Sequence, residues 1–284
     1  MSSKQLVIIT DLDGTLLDHH SYSFAPASGA LALIAERDYP LILNSSKTRE
    51  EMLALQSELG FRQPLPFICE NGAAVYLPEG DGWRCHPFAN LRSDWLPWVH
   101  QQRDQHHYPF EGFSDWSAEQ IAEITGLPLE KATRAAQRQF SEPLLWRGSD
   151  QQREQFSQAI AEQGLRLVRG GRFYSLQGQF DKAEAMLWLR DYYTKQQTST
   201  KRQGGAEQSN SCTKGEVVTI ALGDSPNDQA MLNAADIAVV IKSAQSAAIN
   251  VTSAGRLLRT EQPGPQGWQW AITKIITELD GELT

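Results

Sequence analysis

Near the start of the chain, Asp11-Leu12-Asp13-Gly14-Thr15 places two carboxylates two positions apart, directly after the apolar run Leu6-Val7-Ile8-Ile9-Thr10. Carboxylates so spaced can serve one hard cation and one phosphoryl group together. One side chain attacks, and the other reaches the leaving oxygen as acid and then as base. Gly14 permits a sharp departure from the run. An EF-hand calcium loop needs Gly sixth and Glu twelfth, whereas here Gly14 falls fourth and Tyr22 twelfth, so that chemistry is excluded. Taken alone, the motif also fits a solvated turn after a strand.

A second acidic group, Gly223-Asp224-Ser225-Pro226-Asn227-Asp228, follows another apolar run, Val217 to Leu222. Asp224 and Asp228 are placed to ligate or orient a cation that prefers oxygen, which suits Mg²⁺. Pro226 and Asn227 equally suit a plain turn. Between the two groups lie a hydroxyl and a cation. Ser45 can hydrogen-bond a phosphoryl oxygen or act as a local turn or cap, although Thr48 is the better cap for a helix starting near Arg49. Lys182 can neutralise developing charge, or simply sit solvated at a helix start.

The elements that must carry these residues are legible as a β-α-β-α-β order. Leu6–Thr10, Pro40–Asn44 and Phe67–Cys69 read as strands buried on both faces, with helices over Pro26–Arg37 and about Arg49–Leu59. Strands Val217–Leu222 and Ile237–Ile241 and helices Asp181–Tyr193 and Gln229–Ala235 resume the pattern. This predicts an α/β fold, a Rossmann-like doubly wound parallel sheet with its site at the strand C-termini. From about Trp83 to Gln177 the character changes: tryptophans gather, helical patterns run over Ser117–Thr125 and Leu129–Gln139, and strands Leu165–Arg169 and Arg172–Leu176 flank Gly170-Gly171. The expected organisation is a discontinuous core, 1–83 and 178–284, with an inserted α+β cap over 84–177. Gln196–Thr213 is polar and reads as a disordered excursion.

The whole chain has 284 residues and a net charge of −8, which argues against binding to nucleic acid or an anionic membrane. A two-metal nuclease also gathers acidic residues, but no basic stripe is present to follow a phosphate backbone. Cys69, Cys85 and Cys212 are odd in number and far apart, fitting reduced thiols better than a disulfide framework. No apolar run approaches the roughly 20 residues that span a bilayer, and no secretory signal is evident. The expectation is a cytoplasmic enzyme acting on a small phosphorylated substrate, of undetermined oligomeric state.

The order Asp11-x-Asp13, Ser45, Lys182, then Gly223-Asp224-x-x-x-Asp228 resembles the haloacid dehalogenase-like phosphohydrolases. The resemblance implies a Mg²⁺ cofactor, Asp11 as nucleophile and metal ligand, and Asp13 as acid and base with its main-chain carbonyl on the metal. It implies Ser45 and Lys182 on the phosphoryl group, and Asp224 supported by Asp228 at the metal. Ion-pumping members resemble Asp-Lys-Thr-Gly-Thr instead, so Asp13 points to a hydrolase. Ser45-Ser46-Lys47-Thr48, Glu70-Asn71-Gly72-Ala73, Arg138-Gln139-Phe140-Ser141-Glu142-Pro143 and Arg169-Gly170-Gly171-Arg172-Phe173-Tyr174 are similar to the mannosyl-3-phosphoglycerate phosphatase branch. The likeness spans nearly the whole chain, excepting Gln196–Thr213. That branch commonly has Thr where Ser45 stands, and often Gly soon after the lysine, where this chain has Ala183-Glu184.

The resemblance implies substrate binding by Lys47, Glu70, Asn71, Arg138, Arg169, Gly170, Gly171, Arg172 and Asn227. In chemical terms, the arginines suit a carboxylate and the Gly170-Gly171 turn offers main-chain N–H groups. Surface solvation is the other reading of each arginine, and a tight turn is another for Glu70-Asn71-Gly72. A different sugar-phosphate phosphatase and a non-catalytic phospho-ligand sensor are the remaining alternatives.

Overall fold

The structure is a computed structural model and describes residues 5–59, 61, 63–203 and 217–281. In chain order its strands are β1 (Gln5–Thr10), β2 (Leu41–Asn44), β3 (Phe67–Cys69), β4 (Ala74–Glu79), β5 (Gly82–Pro87), β6 (Phe110–Gly112), β7 (Ser141–Trp146), β8 (Leu165–Arg169), β9 (Tyr174–Gly178), β10 (Val217–Gly223), β11 (Ile237–Lys242) and β12 (Arg256–Pro263). Its helices are α1 (Ser28–Glu36), α2 (Arg49–Leu59), α3 (Arg92–His106), α4 (Ala118–Thr125), α5 (Leu129–Ala135), α6 (Asp150–Ala161), α7 (Lys182–Gln203), α8 (Gln229–Ala234) and α9 (Gly264–Gly281). Among the described residues no helix is long and apolar enough to cross a membrane.

These residues form two compact units. One gathers the described parts of Met1–Ser45, Gln63–Ile68 and Asp181–Thr284; the other gathers Ser46–Arg62 and Cys69–Phe180. The first unit is the doubly wound α/β core. Its strands run in the order β12-β11-β10-β1-β2-β3, with every pair parallel. Leu6 to Thr10 are buried without interruption, as required of a parallel strand covered on both faces. The chain builds outward from β1 through β2 to β3, and later returns to add β10 on the other side of β1. The order therefore reverses between β1 and β10, which opens a crevice at their C-terminal ends.

The second unit is α+β. It holds the β4–β5 hairpin and an antiparallel sheet ordered β6-β7-β9-β8. A core of Val99, Tyr108, Phe110, Leu144, Phe156, Ile160, Leu165 and Leu176 lies under that sheet, with Trp95, Trp98 and Trp146 packed against it.

Several boundaries differ from the sequence reading. α5 stops at Ala135 rather than continuing to Gln139, because the N–H groups of Gln139, Phe140 and Ser141 are taken by the Glu70 carboxylate at 2.9, 3.1 and 2.9 Å. β9 begins at Tyr174, not Arg172, since its register with β7 runs from Leu144↔Tyr174 to Ser141↔Gln177. α7 extends to Gln203, so residues 196–203 are helical rather than an excursion. Lys, Gln and Arg are adequate helix formers without an apolar stripe. Residues 204–213 of that stretch lie outside the described residues.

Candidate active site

Asp11 follows β1 directly and remains tied to the sheet, its N–H donating to Leu222 O of β10 at 2.9 Å. The chain then turns in a tight loop. Thr15 N and Leu17 N both donate to Leu12 O, at 3.1 and 2.8 Å, and Gly14 N donates to Leu17 O at 2.9 Å. Gly14 has φ +84°, and a Cβ there would lie 2.7 Å from Asp224 Oδ2. Glycine is needed at this position twice over, for the left-handed backbone and for the close approach of Asp224.

Lys182 enters from the first turn of α7. Asp181 caps that helix, its Oδ1 accepting from Ala183 N at 2.9 Å and Glu184 N at 3.1 Å. The Lys182 side chain is 2% exposed, and its Nζ lies 2.7 Å from both Asp11 Oδ1 and Asp228 Oδ1. Asp228 Oδ2 accepts from Asp224 N, Ser225 N and Ser225 Oγ at 3.1, 3.2 and 3.3 Å. Both oxygens of Asp228 are thus engaged by protein donors. Asp228 orients Lys182 and the Asp224 loop, leaving Asp11 and Asp224 as the freer carboxylates. Gly223 admits this arrangement, since a Cβ there would fall 2.4 Å from the Asp228 Cβ.

One lysine does not balance this acidic group. Burial pushes Asp11 up to about 7, with Asp228 adding to the effect and Lys182 opposing it. Burial and Asp228 likewise raise Asp224 to about 6. Burial pulls Lys182 down, but Asp11 and Asp228 outweigh it and hold the ammonium above its ordinary value. The cation is shared by two carboxylates, and surplus negative charge falls on Asp11 and Asp224. Ligand atoms of Asp11, Asp224 and Asp228 lie within 4.8 Å of one another. All are hard oxygens, so the donor set fits a divalent cation such as Mg²⁺.

Ser45 follows β2 and is buried, with its N–H on Ile68 O at 3.1 Å. It does not cap α2. Thr48 does, through a reciprocal pair in which Glu51 N donates to Thr48 Oγ1 at 3.1 Å and Thr48 N donates to Glu51 Oε2 at 2.8 Å. Asp13 is half-buried in the loop after Asp11, and Asn227 is exposed in the turn between Asp224 and Asp228. The strand ends of the first unit therefore bring Asp11, Asp224, Asp228 and Lys182 together, while Asn227 faces outward.

The remaining expected substrate residues belong to the second unit. Glu70 is 1% exposed, and besides the three N–H groups it accepts from Ser141 Oγ at 2.7 Å. Both oxygens of its carboxylate are thus engaged by protein donors. Arg138 stands beside it, donating to Ser141 Oγ at 2.9 Å and Ser46 O at 3.2 Å, with its guanidinium 5.9 Å from the Phe113 ring centre. Lys47 offers its main-chain carbonyl to Glu70 N at 2.9 Å, and Asn71 is buried in the following turn. Arg169, Gly170, Gly171 and Arg172 form an exposed turn, where Arg172 also donates to Ile124 O.

Spacing did not reveal two contributors. Trp268 of α9 is fully buried and donates from Nε1 to Thr10 Oγ1 at 3.0 Å, and Thr10 Oγ1 donates to Asp11 O at 2.7 Å. Ser243 donates from Oγ to Asp224 O at 2.7 Å. Thr10 and Trp268 are 258 positions apart, a separation no local motif rule bridges.

Residues 8–144 match the family model described as haloacid dehalogenase-like hydrolase. The phosphatase BT1666 of Bacteroides thetaiotaomicron superposes with a TM-score of 0.65 at 18% identity, over 96% of this chain and 95% of that one. The subclass IIB sugar phosphatase BT4131 gives 0.62 at 14% identity, over 96% and 99% of the two chains. The sucrose-phosphatase of Synechocystis, solved with sucrose and phosphate, gives 0.57 at 16% identity, over 98% of each. The chain thus has the haloacid dehalogenase-like fold, and its matched stretch carries Asp11, Asp13, Ser45, Glu70 and Arg138.

Proposed function

We propose that this protein is a Mg²⁺-dependent phosphatase of a phosphorylated sugar derivative, with Asp11 as nucleophile and mannosyl-3-phosphoglycerate as substrate, acting in the cytoplasm. The observation that carries the reading is Lys182 Nζ, buried and 2.7 Å from both Asp11 and Asp228 where the strand order reverses. A buried cation that fixes one oxygen of a strand-end carboxylate leaves the other oxygen to attack, and its charge opposes the negative charge that the reaction gathers.

In this mechanism Asp11 attacks phosphorus, forming an O–P bond as the ester P–O bond breaks. Asp13 gives its proton to the departing sugar-acid oxygen. The resulting carboxylate of Asp13 then takes a proton from water, which attacks phosphorus and releases Asp11. Ser45 Oγ and Lys182 Nζ hold the phosphoryl oxygens. Asp11, Asp224 and the Asp13 main-chain carbonyl would hold Mg²⁺, with Asp228 keeping the Asp224 loop in place. When bound, the ion supplies Lewis-acid neutralisation of phosphoryl charge.

Residues 1–83 and 178–284 act as catalytic core in this reading, and 84–177 as the cap that selects substrate. Arg138, Arg169 and Arg172 are the candidates for the glycerate carboxylate, with Gly170, Gly171, Lys47 and Asn71 as further partners. Glu70 contributes by fixing Arg138 and the start of β7. A phosphatase of another sugar phosphate, glucosyl-3-phosphoglycerate or a hexose phosphate, is the second reading. The names of the sucrose-phosphatase and sugar phosphatase neighbours favour it.

Phosphate release with Mg²⁺ separates the two readings, using mannosyl-3-phosphoglycerate, glucosyl-3-phosphoglycerate, 3-phosphoglycerate and common hexose phosphates. The expected result is highest kcat/KM for the mannosyl compound. Comparable or better turnover of simple hexose phosphates discards that substrate and keeps the Asp11 chemistry.

A further inference from the structure

We infer that Thr10 and Trp268 form a two-bond relay that fixes the peptide joining Asp11 to Leu12, and so aims the Leu12 N–H at the phosphoryl group undergoing transfer. The inference rests on the phosphatase reading of the site. Its geometric basis is entirely within the first unit. The indole of Trp268 and the side chain of Thr10 are both fully buried. The indole can only donate, and it donates to Thr10 Oγ1 at 3.0 Å. The hydroxyl proton of Thr10 is thereby directed elsewhere, and it goes to the carbonyl oxygen of Asp11 at 2.7 Å.

That carbonyl belongs to the residue whose side chain meets Lys182. It would otherwise be a strand-end acceptor with a soft ψ. Held by Thr10, it fixes the orientation of the whole Asp11–Leu12 peptide, because the peptide is planar. No described peptide bond is cis, so the C=O and N–H of this unit point in opposite directions. The carbonyl is drawn toward Thr10 and α9. The N–H of Leu12 consequently points away from α9. α9 packs with α1, whereas α7, which carries Lys182, packs with α8, and these pairs are the two layers of the doubly wound core.

The Leu12 N–H has no hydrogen-bond partner among the described residues, whereas Asp11 N, Gly14 N, Thr15 N and Leu17 N donate to main-chain oxygens. A buried N–H next to the attacking carboxylate and without a protein acceptor is placed to meet an oxygen that arrives with substrate. Such a donor is worth most when its direction is set beforehand, since it then needs no reorganisation as charge develops. Thr10 and Trp268 touch no reacting atom. They are positioning residues acting through the main chain.

Thr10→Val tests this, because it removes the hydroxyl at nearly constant volume, and Thr10→Ser restores it. Thr10→Val is expected to lower kcat about tenfold with KM within about twofold, and to weaken inhibition by orthovanadate by a similar factor, a modest share of a full oxyanion-donor loss. Thr10→Ser should stay within about threefold of the parent. Trp268→Phe breaks the outer bond and should also lower kcat, and the double variant should be no slower than Thr10→Val alone, as expected for residues in one chain of bonds. Melting temperatures separate folding from chemistry, and Trp268→Phe carries the test if Thr10→Val does not fold. Parent-level kcat and vanadate inhibition in the folded variants, with Asp11→Asn inactive in the same assay, overturns the relay alone. Equal phosphate release by the parent and Asp11→Asn overturns the phosphatase reading beneath it.

Discussion

Lys182 shows what a single residue means only once its partners are known. In the sequence it is one lysine at a helix start, and its partners lie 171 and 46 positions away. Neither the 2.7 Å bridge nor the sharing of one cation by two carboxylates is visible to any local pattern. The carboxylates were easier to read, because Asp11 and Asp224 each stand directly after a buried strand, with Asp13 and Asp228 in the loops that follow. Their division of labour was not: the Asp228 carboxylate accepts from four protein groups, counting Lys182, through contacts that need the folded loop. Gly14 is the sharpest single-residue test of how this cluster is packed. Gly14→Ala places a Cβ against the Asp224 carboxylate and strains a φ of +84°. The Mg²⁺ concentration for half-maximal activity should rise by about tenfold or more, the scale of damage seen when a metal site's support is disturbed. An unchanged Mg²⁺ requirement in a folded variant would show that Asp224 does not hold the ion.

Elements were legible where period and burial agreed. β1, β2, β3, α2, β8, β10 and β11 lie within a residue or so of where apolar runs and punctuation place them. The failures have physical causes. α3 carries Pro97 in its interior and buries only Val99, so no helical stripe announces it. α9 opens on Gly264-Pro265, which resembles a loop although proline is well tolerated in a first helical turn. The end of α5 is decided by Glu70, 69 positions before Gln139, in a turn with left-handed backbone at Glu70, Asn71 and Gly72 (φ 48°, 64° and 103°). The Glu70 carboxylate therefore holds an element boundary. Replacing it by Ala leaves the N–H groups of Gln139, Phe140 and Ser141 without their acceptor and Arg138 without its neighbour. The expected loss is about 3–5 kcal/mol of stability, read from the midpoint of denaturant unfolding. A variant with unaltered midpoint and a raised KM would instead give Glu70 a direct part in binding substrate.

At the scale of the whole molecule, the topology explains why chemistry collects where it does. The parallel order β12-β11-β10-β1-β2-β3 reverses direction of growth between β1 and β10, and the register Thr10↔Leu222 sets Asp11 and Gly223 side by side at that point. Two acidic motifs more than 200 positions apart thereby become one site. The sequence already implied this, since strand-end carboxylates in an alternating β/α pattern have few other places to meet. The second unit follows different rules. Its antiparallel sheet, aromatic core and Glu70–Arg138 cluster depend on long-range pairings with weak local signals, so resemblance more than local pattern singles out its residues.

The central claim, that Asp11 is the nucleophile of a phosphatase, is tested most directly by Mg²⁺-dependent phosphate release from the parent protein and from Asp11→Asn, compared at matched folding by circular dichroism. The parent should release phosphate in a reaction that chelation abolishes, and the variant should be slower by at least about 10³-fold. Full activity in a folded Asp11→Asn protein would contradict it.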